Sequence, residues 1–419
     1  MAAEHTTEQV AEQVTATCCV VGGGPAGMMA GLLLARQGVD VVVLEKHADF
    51  LRDFRGDTLH PSTLELMAEL GWLEDVLALP HTRVERATVS LGGETVVVGR
   101  FDRLPVRCPF IAFLPQWDFL DLLAAKGEAL PGFRLLRSTA ADGLLVEDGR
   151  CTGVTAHDDD GAPVRIRAEL VLAADGRDSV LRAAAGLVPR ASPSRMDVLW
   201  FRVPRREGQE QPLFNAGDGA VVALPRTGYW QAALIVRAGE HEALHAQGLE
   251  AFRDRVRTLA PGLGEGLAAI GDWEQVKLLR VRVDRLRRWW RPGVLFLGDA
   301  AHAMSPAGGV GINLAVQDAV AAANLLGPRL LQGGVRARDL ARVQRRRAWP
   351  ARATQLFQLL LARRLVPSRP GARTRPPVPL GLVRALPFLP HLTGRAIGIG
   401  LRPEHVPAEL RATDGAARP

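Results

Sequence analysis

The sequence predicts an α/β protein whose parallel, doubly wound core is interrupted by a second, mostly antiparallel sheet. Three observations predict it. Residues 17–22 form a continuous apolar run, as in a strand buried on both faces, and a valine-rich run returns at 39–46. Between them lies an apolar stretch, 25–37, bounded by Gly24-Pro25 and Gly38, which carry the start and stop signals of a helix. Strand, helix and strand within about thirty residues make a βαβ unit. Further apolar strands break at glycine near 172–176 and 294–298.

The remaining elements follow in order. Residues 1–16 are polar, with Glu4, Glu8 and Glu12, and predict a flexible N-terminal tail without the basic and apolar regions of a secretory leader. A helix is expected over 55–71, entered through His60-Pro61-Ser62 and closed by Gly71. Residues 85–101 alternate around Gly92-Gly93, the pattern of a β-hairpin. A helix over 117–130 precedes an antiparallel meander over 133–172, cut by Asp-Gly turns. Strand-forming runs at 198–203, 220–224 and 230–236 belong to the second sheet, with a helix over 241–259. A buried strand at 294–297 leads to a helix over 312–331. Residues 337–365 read as a helix that Pro350 should break or kink. The Pro- and Arg-rich stretch 367–407 is expected to pack irregularly through Leu386, Phe388, Leu389 and Leu392. The implied organisation is a tail (1–16), a discontinuous core unit (17–83, 102–190 and 276–330), an inserted sheet unit (84–101 and 191–275) and a helical, Pro/Arg-rich C-terminal tail (331–419).

Composition narrows the function classes. At 419 residues, 47% of them apolar, the chain can bury a large core divided into two or three cooperating units. No run of about 18 uncharged apolar residues occurs, so no membrane span is expected and the cytoplasm is the expected compartment. Four cysteines without C-x-x-C or Cys/His spacing exclude a disulfide framework and a zinc site. Cys18 and Cys19 sit in an apolar strand and read as core. Charge is uneven: from Arg329 onward 18 arginines face four acids, a net of +14, against −7 for the preceding part. A basic tail suits peripheral contact with an anionic membrane. However, only three lysines occur, so arginine is the default cation of this chain. No basic patch is interleaved with aromatics, which argues against nucleic acid as a partner.

Three segments carry chemistry. Gly22-Gly23-Gly24-Pro25-Ala26-Gly27 is a G-x-G-x-x-G between strand and helix. Gly22 permits the tight turn, Gly24 lets the backbone approach a pyrophosphate, and Gly27 allows close helix–strand packing. Phosphates then sit on the N–H groups of the helix start. Glu45, followed by Lys46, ends the second strand, where a carboxylate bonds an adenosine ribose. The second segment is Ala174-Asp175-Gly176-Arg177 after an apolar strand. The third is Gly298-Asp299-Ala300-Ala301-His302, continued by Pro306-Ala307-Gly308-Gly309-Val310-Gly311-Ile312-Asn313 before a helix. With its flanking strands, its helix and Glu45, the first segment points to a Rossmann-type dinucleotide site, and it does not choose between NAD and FAD.

These three motifs, in this order over residues 18–326, resemble the para-hydroxybenzoate hydroxylase family of class A flavoprotein monooxygenases, which includes ubiquinone-pathway and polyketide hydroxylases. The resemblance implies non-covalent FAD held by Gly22, Gly24, Pro25, Ala26, Gly27, Glu45 and Lys46 at its ADP half. It implies that Asp175 and Gly176 serve both FAD and a passing NAD(P)H, and that Gly298 and Asp299 hold the ribityl region. Gly309, Gly311, Ile312 and Asn313 would lie against the flavin pyrimidine ring, with Pro306 near the reacting face. Arg55 and Gln116 match further cofactor contacts. In the family, NAD(P)H reduces FAD, O2 adds to give a C4a-hydroperoxyflavin, and an electron-rich aromatic substrate takes one oxygen atom. No second strand–GxGxxG–helix occurs to bind the donor separately.

Hydroxylation and Baeyer–Villiger insertion share these motifs, as do NADH and NADPH. An FAD-dependent reductase or dehydrogenase without oxygen insertion, or a flavin-holding protein without turnover, are the alternatives. A halogenase W-x-W-x-I-P signature is not matched by Trp289-Trp290-Arg291-Pro292. No catalytic base stands out. His60, His302, Tyr229 and Pro306 are the candidates for polarising substrate or flavin, and each histidine also reads as structural. Trp200, Phe201, Phe214 and Trp230 read either as an aromatic-binding wall or as core.

Overall fold

The computed structural model describes residues 12–51, 58–91, 94–206, 213–217, 219–226, 228–366 and 386–412. β1 (Glu12–Val21), α1 (Pro25–Arg36) and β2 (Val41–Leu44) make the expected βαβ unit, with Cys18 opposite Val41 in a parallel pair. Ala26 through Ala35 are all buried, so α1 is apolar on every side. Next come β3 (Thr58–Leu59), α2 (Pro61–Leu70), α3 (Leu73–Ala78), β4 (Thr82–Val84), the hairpin β5 (Arg86–Leu91) and β6 (Glu94–Arg100), β7 (Ile111–Phe113) and α4 (Gln116–Glu128). β8 (Phe133–Leu136), β9 (Ala140–Glu147), β10 (Arg150–His157), β11 (Pro163–Ala173) and α5 (Val180–Ala184) complete the first half. The second half runs through β12 (Arg190–Ser192), β13 (Met196–Pro204), β14 (Leu213–Gly217), β15 (Gly219–Pro225), β16 (Tyr229–Arg237), α6 (Glu240–Ala246) and α7 (Leu249–Leu259). β17 (Lys277–Arg280), β18 (Val283–Arg285), β19 (Trp290–Arg291) and β20 (Val294–Phe296) precede α8 (Gly311–Leu331), α9 (Ala337–Leu365) and α10 (Leu389–Gly398).

The core sheet has the order β19-β20-β11-β1-β2-β8, with β10 and β9 branching from β11. Two expectations are corrected here. The tail does not extend to residue 16: β1 starts at Glu12 because Glu12–Ala16 pair in parallel with Val164–Ala168 of β11. Nor does the meander begin at 133, since β8 follows the crossover helix α4 and pairs in parallel with β2. The meander is β9-β10-β11, and the outer edge of β11 is shared between β10 and β20.

The second sheet, β17-β13-β16-β15-β14-β5-β6, is antiparallel except where β14 meets β5. Its two faces follow the period-two alternation of a strand. Leu199, Phe201 and Val203 of β13 pack with Ala232 and Leu234 of β16 against Phe252 and Val256 of α7. Met196, Val198 and Trp200 point the other way, toward Ala362 of α9. Burial on both faces explains why these strands read as continuous apolar runs.

The C-terminal region departs most from expectation. α9 runs unbroken through Pro350, because Arg347, Ala351, Gln355 and Gln358 bury one face of it on both sides of the proline. Residues 389–398 are helical rather than irregular. Phe388 and Leu392 are each 54% exposed and do not anchor α10. Gly394 and Gly398 do: a Cβ at Gly394 would sit 1.9 Å from the Arg100 carbonyl oxygen, and one at Gly398 2.9 Å from the Leu104 side chain. The stretch Ala307–Leu331 is long and apolar enough to cross a bilayer, and its most apolar 18-residue window has a mean hydropathy of 1.3. In this fold 67% of that window is buried, and α8 packs on α1, so it serves as a core helix.

Candidate active site

A cavity of about 1290 Å³ opens between the carboxyl ends of the core strands, the Trp200 face of the second sheet, and α9 with α10. Carboxyl ends of parallel strands are where open α/β sheets bind ligands. Pockets for a single small ligand run to roughly 300–1,000 Å³, so this space is larger than one such pocket.

The first motif builds one end. Gly22 has φ +105°, and a Cβ there would lie 2.4 Å from the Ala174 carbonyl oxygen. A Cβ on Gly27 would lie 1.9 Å from the Gly22 carbonyl oxygen, so Gly27 seats α1 on β1 from behind. Gly24 has nothing within 4 Å of its Cβ position and, with Gly22, Pro25 and Ala26, borders the cavity. Glu45 is buried at the end of β2, where its carboxylate accepts from Gly23 N and His47 N, both at 3.0 Å. Lys46 lines the same end, and Gln116, opening α4, lines it too.

The other two motifs converge there. Asp175 follows β11 and accepts from Leu181 N through Oδ2 at 3.1 Å, while its buried Oδ1 lacks a partner. Burial raises its carboxyl above the usual range, although bonds from Ser179 and Leu181 oppose this. Gly176 and Asp299 line the cavity, and Arg177 donates to Asp299 at 3.2 Å. Pro306, Gly309, Gly311 and Ile312 form the wall before α8. Thr58 Oγ1 donates to the Gly309 carbonyl at 2.7 Å and fixes that wall to β3. Open space at Gly24 beside a helix start, a buried carboxylate at Glu45 and the orphaned Asp175 oxygen together fit a dinucleotide.

Several expected residues stand elsewhere. The Asn313 side chain faces away: Oδ1 accepts from His60 N at 2.9 Å and Thr63 Oγ1 at 2.6 Å. Gly298 is buried behind the wall, its N donating to Asp318 Oδ2 at 3.3 Å. His60 is buried with Nδ1 on the Ile397 carbonyl at 2.8 Å, and burial pushes it down to about 4 against the hydrogen bonds of Ile397 and Gly309. His302 is buried against Asp318, at 2.5 Å. Tyr229 sits at the start of β16 under the Arg202 guanidinium, outside the cavity wall. Of the four catalytic candidates only Pro306 borders the cavity. Arg55 lies outside the described residues.

Trp200 and Phe214 line the cavity, whereas Phe201 and Trp230 belong to the core behind the sheet. Sequence reasoning placed the α9 helix but gave it no role at the site. Gln358 Nε2 donates to the carbonyls of Ser305 and Ala307 at 2.7 and 2.9 Å, and Gln355 Nε2 to Ala303 O at 3.0 Å. These glutamines clamp the turn that carries Pro306. Two amides three residues apart, one helical turn, on the same helix face as Ala351 and Ala362 were the available signal.

A family model described as FAD binding domain matches residues 15–356. The chain belongs to this family. Within the FAD binding domain family, 6-methylpretetramide 4-monooxygenase of Streptomyces rimosus is 33% identical over 379 residues, covering 85% of this chain and 86% of that protein. Rifampicin monooxygenase of Streptomyces venezuelae is 32% identical over 72% of this chain and 61% of its own length. Among solved structures, PqsL, a probable FAD-dependent monooxygenase from Pseudomonas aeruginosa, superposes with a TM-score of 0.72 at 23% identity, covering 84% of this chain and 96% of that one. The myxobacterial chondrochloren halogenase CndH gives 0.72 at 20% identity, covering 95% of each chain. At these identities the structures establish the fold. The family match and the named relatives make this chain an FAD-dependent monooxygenase.

Proposed function

We propose that this monooxygenase hydroxylates a polycyclic aromatic substrate bound against the second sheet, with NAD(P)H as electron donor. The observation that carries the reading is the continuity of one cavity from the Gly22–Gly24 cradle to the apolar wall of Val198, Trp200, Phe214, Val222 and Leu224. The name and coverage of the Streptomyces rimosus relative support a fused-ring substrate.

Gly22, Gly24, Pro25, Glu45, Gln116, Asp175, Gly176 and Asp299 would hold the FAD nucleotide and ribityl chain. Pro306, Gly309, Gly311 and Ile312 would flank its ring system. Bound there, FAD supplies the hydride acceptance and O2 activation that the protein's side chains lack. We assign the core sheet with α1, α4 and α8 to the cofactor and the second sheet to the substrate. Residues 331–366 and α10 are a cavity wall in this reading rather than an appended tail, because Phe357, Leu361 and Ile397 line the cavity. The chain's own contribution is to orient the aromatic ring and exclude water.

The test is turnover under 18O2 with FAD, NADPH or NADH and a panel of fused-ring phenols. The expected product carries one 18O atom. Donor oxidation with every product unlabelled would refute the assignment and favour a reductase.

A further inference from the structure

Resting on the oxygenase reading, we propose that Arg363 and Arg364 form an anion subsite at the substrate end of the cavity, so that the substrate is bound as an organic anion such as an aromatic carboxylate or acidic enol. The charged residues lining the cavity fall into two groups. Glu45, Asp175, Arg177, Asp178 and Asp299 are among those at the carboxyl ends of the core strands. Several of these are satisfied within the fold: Glu45 by two backbone amides, Asp299 by Arg177 and Asp178 by Arg282. The second group is Arg363 and Arg364 alone, on the last turn of α9. Among the described residues neither has an ion pair or hydrogen bond. The chain around them offers no carboxylate, because residues 340–403 contain neither Asp nor Glu.

Position gives this pair its use. Gln358 pins α9 to the turn carrying Pro306. Arg363 and Arg364 follow by five and six residues, about 8–9 Å along the axis at 1.5 Å per residue. Phe357, Leu360 and Leu361 of α9 and Val198, Ile235 and Leu279 of the second sheet all line the cavity. A flat apolar body on these walls would bring a terminal oxygen anion to the guanidinium forks, which match a carboxylate bidentately. The same half of the cavity holds no Asp, Glu, His, Cys or Tyr among its described lining residues. An acidic enol already ionised in solution needs no side-chain base to enrich its ring, so for that substrate the absent base and the unpaired arginines have one explanation, whereas a carboxylate would use the arginines for binding and orientation only. The phosphates of NAD(P)H share this anion chemistry, and the test separates the two sources.

FAD-loaded full-length protein would be titrated with 1-hydroxy-2-naphthoate and the neutral 1-hydroxy-2-naphthamide, following the flavin absorbance. The wild type is expected to prefer the naphthoate. R363Q/R364Q should weaken the naphthoate ~10-fold, the scale of one charge-assisted hydrogen bond, and leave the naphthamide within about twofold. R363K/R364K should recover part of the loss, keeping charge without the fork. The arginines are exposed, so melting temperature and FAD affinity should not change. Equal binding of both probes to the wild type, failure of the naphthoate to bind, or an unchanged preference in the glutamine variant would each overturn the proposal. In a second arm, anaerobic flavin reduction is measured against NADPH and NADH concentration, and the glutamine variant should keep the wild-type half-saturation. A rise there with naphthoate binding intact would assign the subsite to the donor's phosphates and overturn the substrate claim. A charge preference without 18O-labelled product fails the oxygenase reading alone, whereas equal oxygenation of neutral and anionic aromatics fails this proposal alone.

Discussion

Gly24 and Gly27 lie three residues apart and answer different demands. A methyl on Gly27 meets the Gly22 carbonyl at 1.9 Å, and backbone cannot yield as a side chain does. Gly27→Ala should therefore displace the turn, costing about 1–3 kcal/mol, and yield protein that purifies without flavin. A methyl on Gly24 meets nothing within 4 Å, so Gly24→Ala should cost under ~1 kcal/mol of apo stability while weakening FAD at least about tenfold. Melting curves and flavin fluorescence titrations distinguish the two, and equal destabilisation would contradict the cradle. His60 offers a pH test. Its imidazole has an ordinary value of 6.5 and is held near 4 in the fold, so between these values the unfolded chain binds the extra proton. Its contribution is full above pH 6.5 and is lost as pH falls toward 4, by roughly 3 kcal/mol at 1.36 kcal/mol per unit. Denaturant midpoints of His60→Gln measured from about pH 7 down to about pH 4.5 should fall less steeply than those of the wild type. The glycine spacing was legible because a turn constrains backbone locally. The burial of His60 was not, because Ile397, which accepts its Nδ1–H, lies 337 residues away.

On β13 the alternation of a strand separates residues that look equivalent as letters. Phe201 is fully buried, edge-on to Phe252 at 5.2 Å, while Trp200 lines the cavity. Phe201→Ala should cost about 3–5 kcal/mol in chemical denaturation. Trp200→Ala should retain most of the stability and instead raise KM for the aromatic substrate. A larger stability loss in Trp200→Ala than in Phe201→Ala would mean the faces are reversed. The parity itself was readable, since Trp200 and Phe201 must face opposite ways; which face met the cavity depended on α7 and α9 packing from opposite sides. The same limit hid α10. Its helix is held by glycines pressed against Arg100, Phe101 and Leu104, and a Pro- and Arg-rich composition does not announce such a contact.

Across the whole molecule, one buried charge network joins stretches that sequence distance keeps apart. Asp318 of α8 accepts from His302 Nε2 at 2.5 Å and from Arg347 Nε of α9 at 3.0 Å. Arg347 also donates to the Arg402 carbonyl at 2.9 Å and to Glu404 at 3.4 Å, and Arg346 binds Glu404 at 2.8 Å. Burial alone would raise the Asp318 carboxyl, but His302 and Arg347 beside it hold it below its usual range. Arg347 was invisible as a special residue because it ends the run Arg345-Arg346-Arg347 in a strongly basic segment. In the fold it is 1% exposed, while Arg345 faces solvent. Asp318→Asn leaves that guanidinium with only the longer contact to Glu404, which Arg346 shares, and should cost about 3–5 kcal/mol, whereas Arg345→Gln should stay within ~0.5 kcal/mol. Asp318 also receives Gly298 N, so Asp318→Asn should speed FAD dissociation by loosening the turn that carries Asp299. Removing both charges in D318N/R347M should restore part of the stability, because the penalty belongs to the half-compensated guanidinium rather than to the lost pair, and Glu404 keeps Arg346. Denaturation of the three variants with FAD bound decides it: a double variant no more stable than Asp318→Asn would show that the network contributes packing and not charge balance.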